Sequence, residues 1–171
     1  MIMESLDYLL KILAEISQLS LEQLQVEKQN EEYEGATFSI GKQTFRSRKA
    51  KRTPKKAGYF VVFWKKDDKN NNQPYDAIMA PDKLVITVLD QEKKGQFIFP
   101  KEILIKKGIL SHGKTIGKMA LRVYPDWIDG LNPTAAATQR WQTPFFIDLT
   151  AKRDVEKLKE LYFDKACELY K

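Results

Sequence analysis

Apolar residues recur every three or four positions through Leu6, Leu9, Leu10, Leu13, Ile16 and Leu19, which predicts an amphipathic helix at the start of the chain. Ser20 and Gln23 have capping-box spacing, and Leu21 and Leu24 lie three apart, so a second helix is expected there. Gly35 closes the helical region. Beyond it the hydrophobic period drops to two: ATFSI and TFRSR alternate around Gly41 and predict a β-hairpin. AKRTPKKAG (50–58) reads as a loop, since Pro54 has no amide hydrogen to give a strand ladder. GYFVVFWKK (58–66) is an almost unbroken apolar run, the pattern of a central strand covered on both faces.

The second half alternates strands with short helices. LVITVLD (84–90) and GQFIFP (95–100) predict two strands around a tight turn, and KEILIKKG (101–108) a short helix ended by Gly108. MALRVYP (119–125) is a strand stopped by Pro125. NPTAAATQRWQ (132–142) is a helix with Asn132 as N-cap and Pro133 in the first helical position. TPFFIDL (143–149) adds a last strand. Val155, Leu158, Leu161, Tyr162, Ala166 and Leu169 form one face of a C-terminal helix. The order predicts a single α+β domain with a mixed, mostly antiparallel sheet flanked by helices, residues 1–34 contributing the N-terminal helices and 35–171 the core.

Composition narrows the class. With 171 residues, 43% of them apolar and 11% aromatic, the chain can bury an ordinary core and is not disordered. Cys167 is the sole cysteine, so no internal disulfide forms, and a reducing compartment is expected. Glu4 and Asp7 interrupt the N-terminal apolar residues before a signal peptide could build, and no run approaches the ~18 apolar residues of a membrane span. A cytoplasmic protein without a membrane partner is expected.

Charge changes the picture most. The chain carries +6, yet nine Lys or Arg residues and no acid lie between Arg46 and Lys66, leaving the remainder net negative. Residues 1–34 hold eight acids against Lys11 and Lys28. Cations concentrated next to a strand are what a phosphate backbone selects, whereas a merely solvated loop gains nothing from nine unopposed charges. Arg46, Arg48, Lys49, Lys51, Arg52, Lys55 and Lys56 are therefore candidate nucleic-acid contacts, Arg46 and Arg48 sharing one strand face. Trp141 stands beside Arg140 with Gln139 and Gln142 around it, offering a stacking plane, a cation and amides for base edges. A core position for Trp141 is the competing assignment.

Four blocks, AKRTPKKAGYFVVFW (50–64), GQFIFPKEIL (95–104), GKMALRVYPDW (117–127) and TQRWQTPFF (138–146), agree in order and spacing with the MepB-like proteins, a family the chain resembles from about Glu34 onward. The resemblance implies a core similar to the PD-(D/E)XK restriction-endonuclease fold, nucleic-acid binding, and a catalytic constellation that is not recognisably intact. Lys101, Lys118 and Arg122 lie in the matching blocks and become candidates for the inner groove. With no helix-turn-helix, zinc finger or RNP-type aromatic pair, a backbone-tracking groove that favours single-stranded DNA or RNA over duplex is expected.

Three other readings stay open. Asp82, Glu92 and Lys94 match the letters of a Mg²⁺-dependent nuclease motif, although Glu92 and Lys94 fall in a turn; on the binding reading no cofactor is needed. Gly108 to Thr115 satisfies G-x-x-x-x-G-K-[ST], but Gly117 and a strand follow where a phosphate-binding loop needs a helix, and His112 has no nucleophile or second ligand in the sequence around it. The acidic N-terminal region and the basic loop could instead engage protein partners.

Overall fold

The computed structural model of the chain describes residues 3–168, with side chains to residue 163. Helix α1 (Glu4–Ile16) forms as its spacing predicts and buries Leu6, Leu9, Ile12, Leu13 and Ile16, while Leu10 is exposed and Leu19 lies beyond its end. The expected second helix is instead a strand, β1 (Leu21–Val26), paired antiparallel with β2 (Ala36–Ile40). The register slips between Glu22 and Gln25 because Gln23 adopts φ 57°. That bulge hides the two-residue alternation and leaves Leu21 and Leu24 three apart, mimicking a helix.

The hairpin of β2 and β3 (Gln43–Lys49) turns at Gly41, whose φ of 58° suits a residue without Cβ. Two short strands, β4 (Lys51–Arg52) and β5 (Tyr59–Val62), flank the basic loop, and a small ribbon of β6 (Lys65–Lys66) and β7 (Asn72–Gln73) follows. The long strands β8 (Lys83–Asp90) and β9 (Lys93–Pro100) pair as an antiparallel hairpin, and α2 (Lys101–Lys106) follows directly. Then come β10 (Ala120–Val123), α3 (Pro133–Gln142), β11 (Phe146–Asp148) and α4 (Val155–Glu168). The expectation of a C-terminal helix face holds for Leu158 and Tyr162, both buried, while the side chains of Ala166, Cys167 and Leu169 lie outside the described residues.

These elements build a six-stranded sheet in the order β1-β2-β3-β8-β9-β11, in which β3–β8 is the one parallel pair, and a three-stranded sheet in the order β10-β5-β4. The fold is thus α+β with a mixed, mostly antiparallel sheet flanked by helices. One face of the large sheet packs on α1 and α4 through Phe38, Phe45, Val85, Ile98, Leu158 and Tyr162. The other face, through Ile86, Val88, Phe97 and Phe99, meets Tyr59, Val61, Phe63, Leu121 and Val123 of the small-sheet layer. The apolar run at 59–64 is therefore central, but to the small sheet. Its covered face is Tyr59, Val61 and Phe63, whereas Phe60, Val62 and Trp64 are half-buried. No described helix is long and apolar enough to cross a membrane.

Candidate nucleic-acid interface

The strand β3 divides the basic segment between two interiors. Phe45, Ser47 and Lys49 face the helices, and Arg46 and Arg48 face the opposite way. Arg48 has no exposed surface. Its Nη1 donates to Glu27 Oε1 at 2.8 Å, and its Nη2 donates to Asn30 Oδ1 at 3.1 Å and to the Tyr75 hydroxyl at 3.3 Å. Arg46 donates from Nε to the same Glu27 oxygen at 3.0 Å and lies 3.6 Å over the Tyr75 ring. Tyr75 closes the network by donating to Glu27 Oε2 at 2.8 Å. Burial pushes the Glu27 carboxyl up, but the charges of Arg48 and Arg46 and hydrogen bonds from Arg48 and Tyr75 outweigh it and hold it below the usual carboxylate range.

Further cations of the segment are also matched. Lys49 donates to Glu4 at 2.9 Å and lies 3.5 Å from Glu34, Lys51 lies 3.9 Å from Glu32, Arg52 3.7 Å from Asp90, and Lys65 3.2 Å from Asp76. The charges that looked unopposed in sequence are opposed in space, by acids that arrive mostly from residues 4–34. Arg48 has no atom to offer a phosphate, and Arg46 is spent on Glu27 and Tyr75. Both belong to the interior rather than to a binding surface.

Lys55 and Lys56 escape this neutralisation. The loop that carries them is anchored by Arg122 of β10, whose guanidinium donates to Ala57 O at 2.9 Å and to the Thr53 hydroxyl. Between this loop, β10 and α3 runs a trough. One half, with a volume of 460 Å³, is lined by Lys55, Lys56, Arg122, Asn132 and Thr134 among others. The other, of 240 Å³, is lined by Lys107, Lys118, Arg122, Thr138 and Trp141. Arg122, Tyr124 and Thr138 are common to both, so the two halves adjoin. Five cations and no carboxylate line it, and among the described residues Lys55, Lys56, Lys107 and Lys118 take part in no ion pair.

Local sequence sets the trough's far wall. Asn132 caps α3 by accepting from the Ala135 amide at 2.8 Å, with Pro133 in the first turn, as its residue types predict. Thr134, Thr138 and Trp141 then fall on one helical face. Arg140 lies about 120° around α3 from that face, given ~100° per residue, and does not line the trough. Trp141 is half-buried, its ring 5.4 Å from Phe99 and its other approach 5.6 Å from Lys107 Nζ. Gln139 is not free for base edges, because its amide donates to Pro125 O and Ile128 O and holds the preceding turn. Gln142 is fully buried and binds the backbone of Arg122 and Tyr124. Lys101 begins α2 beside Asp82 and is not part of the lining. The structure thus gathers Lys55, Lys56, Lys118, Arg122 and Trp141 into one concavity and leaves Arg46, Arg48, Lys49, Lys51, Arg52, Lys101, Gln139 and Arg140 outside it. Sequence reasoning missed Lys107, Tyr124 and Thr138. Lys107 reads in sequence as a cation at a helix C-terminus, and only the fold brings it round to Lys118.

A larger concavity, of 580 Å³, lies elsewhere, on the β1–β3 face beneath Met79, Ala80 and Pro81. Arg46, its one cation, is already spent on Glu27.

The nuclease constellation does not assemble. Asp82 precedes β8 and accepts from the Thr44 amide and hydroxyl, whereas Glu92 sits in the turn after β8. Eight strand residues at about 3.3 Å each put roughly 26 Å between them. Lys94 stays with Glu92 at the turn end, so the three cannot share a metal ion. Asp90 is used by Tyr59, whose hydroxyl donates to it at 2.7 Å; burial and then that bond push the phenol up to about 12. Among the described residues no three His, Cys, Asp or Glu side chains gather to hold a metal. The loop Gly108–Thr115 follows a short helix and leads to β10, not to a helix, so it is no phosphate-binding loop of the nucleotide-hydrolase kind.

No curated protein matches the chain. The family model described as MepB-like matches residues 27–148. The chain belongs to the MepB-like family. Every trough residue named above falls within that MepB-like region. The crystal structure of MepB is similar at 46% identity over 85% of this chain and 98% of that one, with a TM-score of 0.77. A bacterial homing endonuclease is more distant, with 13% identity over 81% of this chain and 86% of that one and a TM-score of 0.45, a likeness that carries no argument about activity.

Proposed function

We propose that this MepB-like chain binds nucleic acid along the trough between the 53–57 loop, β10 and α3, and that it does so without a competent cleavage site. The observation that carries this is the lining itself: Lys55, Lys56, Lys107, Lys118 and Arg122 with no carboxylate among them. Unpaired cations in a concavity focus potential outward and attract a polyanion. Arg122 positions the loop and lines both halves of the trough. Trp141 beside these cations offers a plane on which a base can stack, so single-stranded DNA or RNA is the favoured partner. Backbone contacts of this kind confer affinity with little sequence preference. The separation of Asp82 from Glu92 and Lys94 supports binding without metal-dependent hydrolysis.

Fluorescence anisotropy of a labelled single-stranded oligonucleotide across salt concentrations tests this. Five neutralised phosphates give a log–log salt slope of about −3.5. Lys55→Glu with Lys56→Glu should weaken binding and flatten the slope by about 1.4. Lys51→Glu with Arg52→Glu, outside the trough, should change it far less. Absence of binding at low salt, or equal effects of the two double variants, overturns the assignment. Incubation with Mg²⁺ should leave the oligonucleotide intact.

A further inference from the structure

Beside the trough, residues 111–118 form a tightly braced loop. His112 and Thr115 exchange backbone hydrogen bonds at 3.0 and 2.9 Å around Gly113, whose φ is 59°. The Gly117 amide donates to the Ser111 hydroxyl at 2.8 Å, and the Lys118 amide to Ile109 O at 2.8 Å. Gly117 is pressed so closely that a Cβ would lie 2.4 Å from Ile109 O. The loop is thus ordered before any ligand arrives. At its outer edge Ile116 is 82% exposed, flanked by the exposed Lys114 and Lys118. A single exposed isoleucine needs no explanation by itself. A braced loop that holds one between two unpaired cations, with one of those cations lining the trough, is a different arrangement.

The neighbouring loop supplies a comparison. Ile78 and Met79 are 88% and 76% exposed, on a turn tied to the first through Ala77 N–H to Ser111 O at 2.8 Å. That tip stands on Asp76, whose carboxylate engages Lys65, so it carries no free cation to draw a phosphate. Charge distinguishes the two apolar tips, and it favours a polyanion at Ile116.

We propose that Ile116 is a base-unstacking wedge: when Lys118 and Arg122 hold the backbone of a strand in the trough, the Ile116 side chain enters between neighbouring bases. Minor-groove proteins drive apolar side chains, isoleucine among them, between the base steps of duplex DNA, and the stacked bases of a single strand offer Ile116 the same kind of step. The wedge rests on the nucleic-acid reading of the trough, and its test separates the two. Oligonucleotides carrying 2-aminopurine brighten when that base leaves the stack. Binding by the unaltered protein should raise this signal at one or two positions along a short strand. Ile116→Ala should abolish the rise, weaken binding on the order of tenfold and leave the salt slope unchanged, since no charge is lost. Ile116→Leu should restore the signal. The exposed position makes all three proteins fold alike, which a thermal melt verifies. Binding with an ordinary salt slope but no 2-aminopurine response overturns the wedge and spares the trough. So does an Ile116→Ala effect seen only on self-association in sedimentation, which would assign the tip to a protein contact. Absence of oligonucleotide binding by the unaltered protein overturns both.

Discussion

Arg48 shows how far a residue's role can lie from its sequence neighbourhood. Among seven basic residues on and after β3 it looks like surface charge, yet it is buried against Glu27, twenty-one positions earlier. Nothing local in the chain announces that partner, because an ion pair across elements has no periodicity. Arg48→Met removes one of Glu27's two cationic partners and leaves Arg46 and Tyr75 on it, so it should cost about 1–3 kcal/mol in urea unfolding. Arg52→Ala, whose side chain is 72% exposed, should cost under about 1 kcal/mol. The pH dependence has a definite sign. The Glu27 pKa is depressed in the folded protein, so the network's contribution is complete above the unfolded carboxylate's value of about 4.3 and is lost as pH falls through the lower folded value. Glu27→Gln should flatten the acid limb of the stability profile. By contrast, Asn132 and Pro133 were legible at once, because a helix cap is written within four residues.

Elements differ in the same way. Amphipathic α1, the β2–β3 and β8–β9 hairpins, α2 and α3 follow from local spacing. The strand β1 does not: its bulge at Gln23 destroys alternation, and pairing with β2 overrides a capping signal that had no core behind it. The strand β5 reads correctly as a central strand, but its Phe60 and Val62 side is half-buried rather than covered and its sheet is the small one, since an apolar run does not report its neighbours. The site depends on one well-signalled element. Asn132→Ala should remove the N-cap of α3 and lower stability by about 1 kcal/mol, while Asn132→Gly should cost only a few tenths. Chemical denaturation of the two variants side by side measures that difference. The site was legible in part for the same reason: Arg122 and Trp141 stand on elements the pattern reveals, whereas Lys118, in the loop before β10, and Lys107 reach the trough only through tertiary packing.

At the scale of the molecule, charge is sorted rather than spread. Acids of the first thirty-four residues meet the cations of β3 and Lys51 of β4, Asp90 meets Arg52, and five cations with no carboxylate among them line the trough. The trough draws on residues 55–57, 107–124 and 130–141, so it exists only when these three stretches have come together. The single parallel pair in the large sheet bears on how long that takes. Strands β3 and β8 lie side by side, but residues 50–82 separate them in the chain. The β8–β9 hairpin can close locally, whereas the β3–β8 seam must wait for a long loop to be gathered first. Refolding after dilution from urea should accordingly take milliseconds to seconds rather than microseconds, and stopped-flow fluorescence would show it. Until that seam closes, both strands expose unpaired edges. The interval during which a newly made chain is vulnerable to aggregation is therefore set by such long connections, those of β5–β10 and β9–β11 included, and not by the charge that distinguishes its surface.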